Sequence, residues 1–451
     1  MSTKNIPMDQ NRYNANYIFG NIVDEILSVD LDYIFSIARS KRKDILRIKT
    51  EDIIRVIDKV SSFWLDENNP LYPLVFEKLS NLGFSNDMLK LAIKELSRIF
   101  LYENLSRRLL IEFGSSDILD NWVGDSIKIR AFPIGVLTHI TAGNVFVSSI
   151  DSLICGLITK NINIIKTSSK VGNSFGILWI ESLKIAEKNL GMEGLLSDKI
   201  VIFSYPSDNL IDYLNKYSDG VVVWGSYDTI KFFSSNFDPK KKLIIYGPKY
   251  SICVIDEDNL KENLNNQEFY DSLAWDICLW EQRACSSVQT IYIVGNPSLD
   301  YLETFCQKLS KSISEFKIPQ GELSFDEYTE IFKYEDISIA NTVLGKGKYF
   351  NRVYLEYLDE DFFIGPLNRF VCVKKVDNID KLVEVLKPYS DILQSCSLKV
   401  SNSDSYIDAL SNCGITRFVK IGNIGFSEIF VPHEGEYILR RFSKIVSRSE
   451  V

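Results

Sequence analysis

The chain has 451 residues, 45% of them hydrophobic and 25% charged, and a mean hydropathy of −0.02, which suits an ordinary globular protein of two or three packed domains. A formal charge of −9 and a pI near 5.1 argue against broad binding to nucleic acid or an anionic membrane, since neither surface attracts a net acidic protein. The opening MSTKNIPMDQNRYN lacks the basic-then-apolar layout of a secretory signal, and no apolar run approaches the roughly 18 to 20 residues that span a bilayer. The expectation is a cytosolic (cytoplasmic) protein with no membrane span.

Residues 1–113 read as a helical N-terminal region. Between Leu89 and Leu110, apolar residues recur at Leu89, Ala92, Ile93, Leu96, Ile99 and Phe100 with charges between, the spacing of one buried helix face. After Trp122 the pattern changes to short apolar runs: 134–140, 162–166, 199–203, 220–224 and 243–246. They are continuous rather than alternating, so they belong in a parallel sheet covered by helices on both faces. Helical stretches lie between them, at about 147–158, 174–189, 208–216 and after Gly225–Ser226. This βαβ series predicts a doubly wound nucleotide-binding domain over residues 114–246.

A second α/β series begins near Ser251, with strands at 251–255 and 289–294, a helix ending near Trp280 and another from about Leu299 to Phe316. It predicts a separate substrate-bearing domain over 247–418, with the active site in the cleft between the two domains. Residues 419–451 are expected to pack back on the body or on a neighbouring subunit. The fold class is therefore α/β, with two doubly wound domains and a helical N-terminal region.

Eight cysteines form no CxxC pair and several are flanked by aliphatics, so they read as reduced thiols. Two histidines, His139 and His433, lack metal-ligand spacing to cysteines or carboxylates, and no metal site is expected. His139, inside an apolar strand, reads as a core or interface residue. Neither GxGxxG after a strand nor GxxxxGK[ST] is present.

What is present is an ordered series: AFPIGVLTHITAGNVF (131–146), NINIIKTSSK (161–170), VVVWGSYDTIKFF (221–233), IIYGPKYS (244–251) and EQRACSSVQTIYI (281–293). In that order and spacing the chain resembles the aldehyde dehydrogenase superfamily from about Ile127 onward. Within it, HITAGNVFVSSIDSL, GPKYSICVIDED, EQRACSS and VPHEGEYILRRF resemble the LuxC-type acyl-CoA reductases, the reductase subunit of the bacterial luminescence fatty-acid reductase. EQRACSS together with HITAGNV carries the specificity.

The resemblance assigns Cys285 as the nucleophile. A thiolate attacks an acyl carbonyl readily and leaves readily from the later tetrahedral adduct. Asn144 falls at the superfamily's oxyanion-binding asparagine, where its amide and the Cys285 backbone N–H would face the developing negative charge. An asparagine capping the helix that follows is the structural alternative, and both roles can coexist.

Lys166, at the carboxyl end of its strand, resembles the lysine that meets the cofactor's adenosine ribose. Three positions on, NAD-preferring relatives carry a glutamate, where this chain has Ser169 in the run Thr167–Ser168–Ser169–Lys170. Hydroxyls and a second lysine in place of a carboxylate suit a 2′-phosphate, so the expected cofactor is NADPH. For Lys170 a solvated strand-end lysine is the equal alternative. Gly225–Ser226 matches the Gly-Ser turn beside the pyrophosphate.

One departure bears on the reaction. Aldehyde-oxidising members carry a glutamate in ELGGK that activates water against the acyl-cysteine, and IYGPK puts Ile245 there, which cannot accept a proton. That favours reduction of a fatty acyl thioester, acyl-CoA or acyl-protein, to the aldehyde through an S-acyl-cysteine. The alternatives are an aldehyde dehydrogenase that uses another carboxylate, such as Glu281, or a non-catalytic scaffold of this fold. His433 is either an acid/base near the leaving group or a packed loop histidine. Trp275 and Trp280 either line an acyl channel or belong to the core. The resemblance further implies an acyl-protein synthetase partner and a homo-oligomer, a tetramer.

Overall fold

A computed structural model describes residues 15–24, 28–142, 146–168, 172–204, 209–357, 362–426 and 430–449. The chain divides into two compact units, one of Met1–Leu82, Lys90–Gly247 and Glu428–Val451, the other of Gly83–Leu89 and Pro248–Ser427.

In the first unit the short β1 (Asn16–Ile18) and β2 (Asn21–Val23) form a hairpin, and β3 (Ile127–Pro133) stands apart from the main sheet. β4 (Val136–Ile140), β5 (Ile162–Lys166), β6 (Ile200–Phe203), β7 (Gly220–Trp224) and β8 (Lys242–Tyr246) are parallel neighbours in the order β6-β5-β4-β7-β8, with β1 antiparallel on β6. Strand order reverses between β4 and β7, which makes the carboxyl ends of these two strands the place where open α/β sheets bind ligands. β4 and β6 are buried along their whole length, as continuous apolar runs require.

Helices cover the sheet. Leu31, Ile34, Phe35 and Ala38 of the helix Ser28–Ser40 join Val136, Ile164, Val201 and Val221 in one core, so the N-terminal helices complete the first unit. Each fully buried Leu, Ile or Phe of this kind contributes roughly 1.5–3 kcal/mol. The single helix face read over Leu89–Leu110 is divided between two helices, Asn86–Ile99 and Tyr102–Phe113. Leu101 is extended there, and Asp58 accepts the Tyr102 N–H at 2.8 Å, a cap from a distant helix that local spacing does not reveal.

The second unit has β9 (Tyr250–Asp256), β10 (Val288–Val294), β11 (Gly347–Phe350), β12 (Val353–Glu356), β13 (Val371–Val376), β14 (Leu393–Lys399) and β15 (Arg417–Lys420), ordered β11-β12-β13-β10-β9-β14-β15. All neighbours are parallel except β11 on β12. The helices Gln267–Cys278 and Leu299–Ser314 bury Tyr270, Leu273, Ile277, Phe305 and Leu309 against this sheet.

The chain ends in the first unit, where β16 (Ser443–Ser449) pairs antiparallel with all of β3. Buried polar groups hold this return. Asn161 donates to the Phe442 carbonyl at 2.9 Å, and Glu112, paired with Arg108 at 2.7 Å, accepts the Leu439 N–H at 2.8 Å. Among the described residues no helix is long and apolar enough to cross a membrane.

Candidate active site

At the carboxyl edge of the first sheet stand Lys166, which ends β5, and Gly225–Ser226, which follow β7. Lys166 is half-buried, and desolvation holds its ammonium below the usual lysine range. A cation pulled from water with no carboxylate among the described residues to offset the cost suits an anionic or polyhydroxyl ligand. Thr167 is turned inward, its hydroxyl donating to Asn173 Oδ1 at 2.6 Å, whereas Ser168 is half-buried.

Ser226 is exposed and caps the helix Tyr227–Asn236, accepting the Thr229 N–H at 3.4 Å, so the first-turn N–H groups of that helix can also meet an anion. A Cβ on Gly225 would stand 2.8 Å from Thr229 Cβ, which is why this position takes no side chain. The lysine, the bare glycine turn and the helix start together fit a dinucleotide. Asn144, Ser169 and Lys170 lie outside the described residues.

His433 begins a tight hairpin whose central residues, Glu434 and Gly435, both have positive φ, and its N–H donates to the Glu436 carbonyl at 2.9 Å. Its ring packs on Tyr246 and Trp224, with centroids 5.1 and 5.6 Å away, and those two aromatics, the last residues of β8 and β7, stack at 4.0 Å. Ile245, one residue before Tyr246, is half-buried and offers no proton acceptor. His139 is fully buried between Ser152 Oγ at 2.7 Å and Asn163 Oδ1 at 3.0 Å, and burial pushes it down to about 4. It is a neutral core histidine.

In the second unit Cys285 precedes β10 and so lies at the amino edge of its sheet. None of the eight cysteines is in a disulfide, and Cys285 alone is not buried. Burial pushes the other seven thiols up, Cys278 to about 12, which leaves them almost wholly protonated at neutral pH.

The residues just upstream of Cys285 anchor its loop, each in a different way. Trp280, Glu281 and Gln282 have φ of 59°, 50° and 58°, three consecutive non-glycine residues in the left-handed region, each at a cost of roughly 1–2 kcal/mol. Glu281 is 0% exposed, and both its oxygens accept from Arg369, Nε to Oε2 and Nη2 to Oε1, each at 2.7 Å. Gln282 donates to the carbonyls of Val288 and Phe370 at 2.8 and 2.9 Å, and Arg283 pairs with Glu327 at 2.7 Å. The Ser251 hydroxyl holds the Cys285 carbonyl at 2.7 Å.

Glu281 therefore has its carboxylate engaged by a guanidinium, the geometry of a brace. Trp280 donates its indole N–H to the Gly425 carbonyl at 2.8 Å, and Trp275 packs on Phe316 and Phe426. The sequence pattern marks Ser251 only as the start of a strand and assigns Arg369 no part at all. The one available signal for Arg369 was a lone arginine directly before the apolar run of β13, where a charge needs a buried partner.

A profile described as Acyl-CoA reductase (LuxC) matches residues 45–445. The chain is 27% identical over 416 residues to a long-chain acyl-protein thioester reductase of Photorhabdus laumondii, covering 89% of this chain and 82% of that one. A protein of the same description from Photobacterium phosphoreum is 27% identical over 410 residues, covering 89% and 81%. Among solved structures, a benzaldehyde dehydrogenase of Corynebacterium glutamicum aligns over 100% of both chains with a TM-score of 0.69 and 11% identity. An aldehyde dehydrogenase C of Pseudomonas syringae, solved with NAD+ and octanal, aligns over 98% of both with a TM-score of 0.72 and 12% identity. The fold is that of the aldehyde dehydrogenases, and the match over most of its length makes this chain a member of the acyl-CoA reductase (LuxC) family.

Proposed function

We propose that the protein reduces a long-chain fatty acyl thioester, carried on CoA or on a protein, to the fatty aldehyde with NADPH. The observation that carries this reading is Cys285, the one cysteine of eight that escapes burial, on a loop anchored on every side.

The Cys285 thiolate attacks the thioester carbonyl. The new carbon–sulfur bond forms as the old one breaks, and the donor's thiol leaves. The Cys285 backbone N–H, with the Asn144 amide, faces the oxygen that turns negative in each tetrahedral adduct. Lys166, Ser168, Ser169, Gly225 and Ser226 would hold a dinucleotide, which when bound supplies the hydride for the acyl carbon. Cys285 then leaves as a thiolate when the thiohemiacetal collapses to the aldehyde. Ile245 gives water no base, so the S-acyl enzyme is spared hydrolysis.

The long-chain, protein-borne donor follows the description of the relatives, and a synthetase partner and a tetramer are part of the same proposal. The test is to incubate the protein with a panel of acyl thioesters, detect by mass which acyl group stays on Cys285, and then add NADPH or NADH. Aldehyde release on adding NADPH supports the reading. Acyl-CoA reduction by a Cys285→Ala protein defeats it.

A further inference from the structure

Two loops of the second unit carry the same unusual backbone. Trp280–Glu281–Gln282 and Leu367–Asn368–Arg369 are each three successive non-glycine residues with positive φ, at 59°, 50°, 58° and 62°, 54°, 70°. Such conformations persist only where the surroundings over-determine them. Here the two turns determine each other. The Asn368 N–H donates to the Glu281 carbonyl at 3.2 Å, the Gln282 amide bonds the Phe370 carbonyl at 2.9 Å, and the Glu281 carboxylate and Arg369 guanidinium join fork to fork. Arg369 is also held from outside, by the Ile318 carbonyl at 3.2 Å and the Phe316 ring at 5.2 Å.

We propose that the Glu281–Arg369 ion pair is the positioning clamp of the nucleophile: it locks the two left-handed turns together and so fixes where Cys285 meets the acyl carbonyl. A bidentate pair sets rotation as well as distance, which a point charge does not. Ser251 on the Cys285 carbonyl, Gln282 on the Val288 and Phe370 carbonyls, and Arg283 on Glu327 keep the loop attached when the fork is removed, so what the loop loses is the contact that sets its rotation. The inference rests on the reading of Cys285 as nucleophile. Glu281 and Arg369 act through the loop and touch no reacting atom.

The test compares wild type with Arg369→Lys, which keeps the charge and loses the fork, and with the double variant Glu281→Leu/Arg369→Met, which leaves no buried charge unpaired. Each is measured for thermal midpoint, NADPH affinity, and rate of Cys285 acylation by a long-chain acyl-CoA across pH. In both variants acylation should fall on the order of tenfold to a hundredfold, since small misplacements carry that penalty. KM for the acyl-CoA, NADPH affinity and the shape of the pH profile should stay as in wild type.

If Arg369→Lys does not fold, the double variant decides. A folded double variant that acylates at the wild-type rate overturns the clamp. So does a Glu281→Gln protein whose pH profile loses a limb while Arg369→Lys acylates normally, because that marks Glu281 as a proton carrier. Acyl-CoA reduction by Cys285→Ala is a separate result that removes the nucleophile and leaves the fork's effect on loop geometry to be read from the other arms.

Discussion

The Ser251 hydroxyl donates to the Cys285 carbonyl at 2.7 Å and accepts the Ser395 N–H at 3.3 Å, so the backbone of the proposed nucleophile is tied to the amino ends of β9 and β14. Ser251→Ala removes two hydrogen bonds, each of roughly 1 kcal/mol, one from the Cys285 carbonyl and one from the Ser395 amide. Acylation of Cys285 should slow by about fivefold to tenfold with little change in cofactor affinity. Single-turnover acylation measures the first, and fluorescence titration with NADPH the second.

Thiol reagents should discriminate sharply among the cysteines. Because seven are buried and pushed up in pKa, iodoacetamide should label native protein once, at Cys285. Intact-mass and peptide analysis check this. Labelling of two or more sites before unfolding contradicts the burial pattern.

Lys166→Met should weaken NADPH binding by about tenfold, the loss of roughly 1.4 kcal/mol, and leave Cys285 acylation unchanged. Removing a half-buried charge that has no carboxylate partner among the described residues should also raise the thermal midpoint of the unliganded protein slightly. Titration and a melting curve together test the pair of effects.

Two buried groups set opposing pH trends. His139 is held at about 4 rather than 6.5, so between those values the unfolded chain binds a proton that the folded chain does not, and stability falls as pH drops through that window. Asp276 is raised from 3.8 to about 6 by burial, so between those values the folded chain holds the extra proton and stability rises as pH drops. Each effect is worth about 3 kcal/mol, with opposite sign. Urea unfolding at pH 7 and pH 5 should therefore show His139→Gln gaining relative stability at the lower pH and Asp276→Asn losing it.

Gly156 lies where a Cβ would strike Asn163 Oδ1, the group that meets His139 Nε2. Gly156→Ala should destabilise the first unit by roughly 1–3 kcal/mol, the usual cost of overpacking. A lowered thermal midpoint with unchanged Cys285 alkylation would show the effect confined to that unit.

The continuous apolar runs of β4 to β8, the helix Ser174–Asn189 and the order of motifs were legible because burial on both faces and family resemblance leave their mark residue by residue. That was enough for an aldehyde dehydrogenase-like fold and for membership of the acyl-CoA reductase family. The division of one expected helix at Leu101 was not legible, since its cap comes from Asp58, 44 residues away. Nor was the work of Glu281. In the sequence it was a carboxylate near the expected nucleophile, and only the approach of Arg369 from a loop 88 residues on made it half of a buried fork. Local pattern records which residues must be buried and which turns must form. The partner of a buried charge is chosen by strands that pair across the sheet, and that choice is made only when the chain has folded.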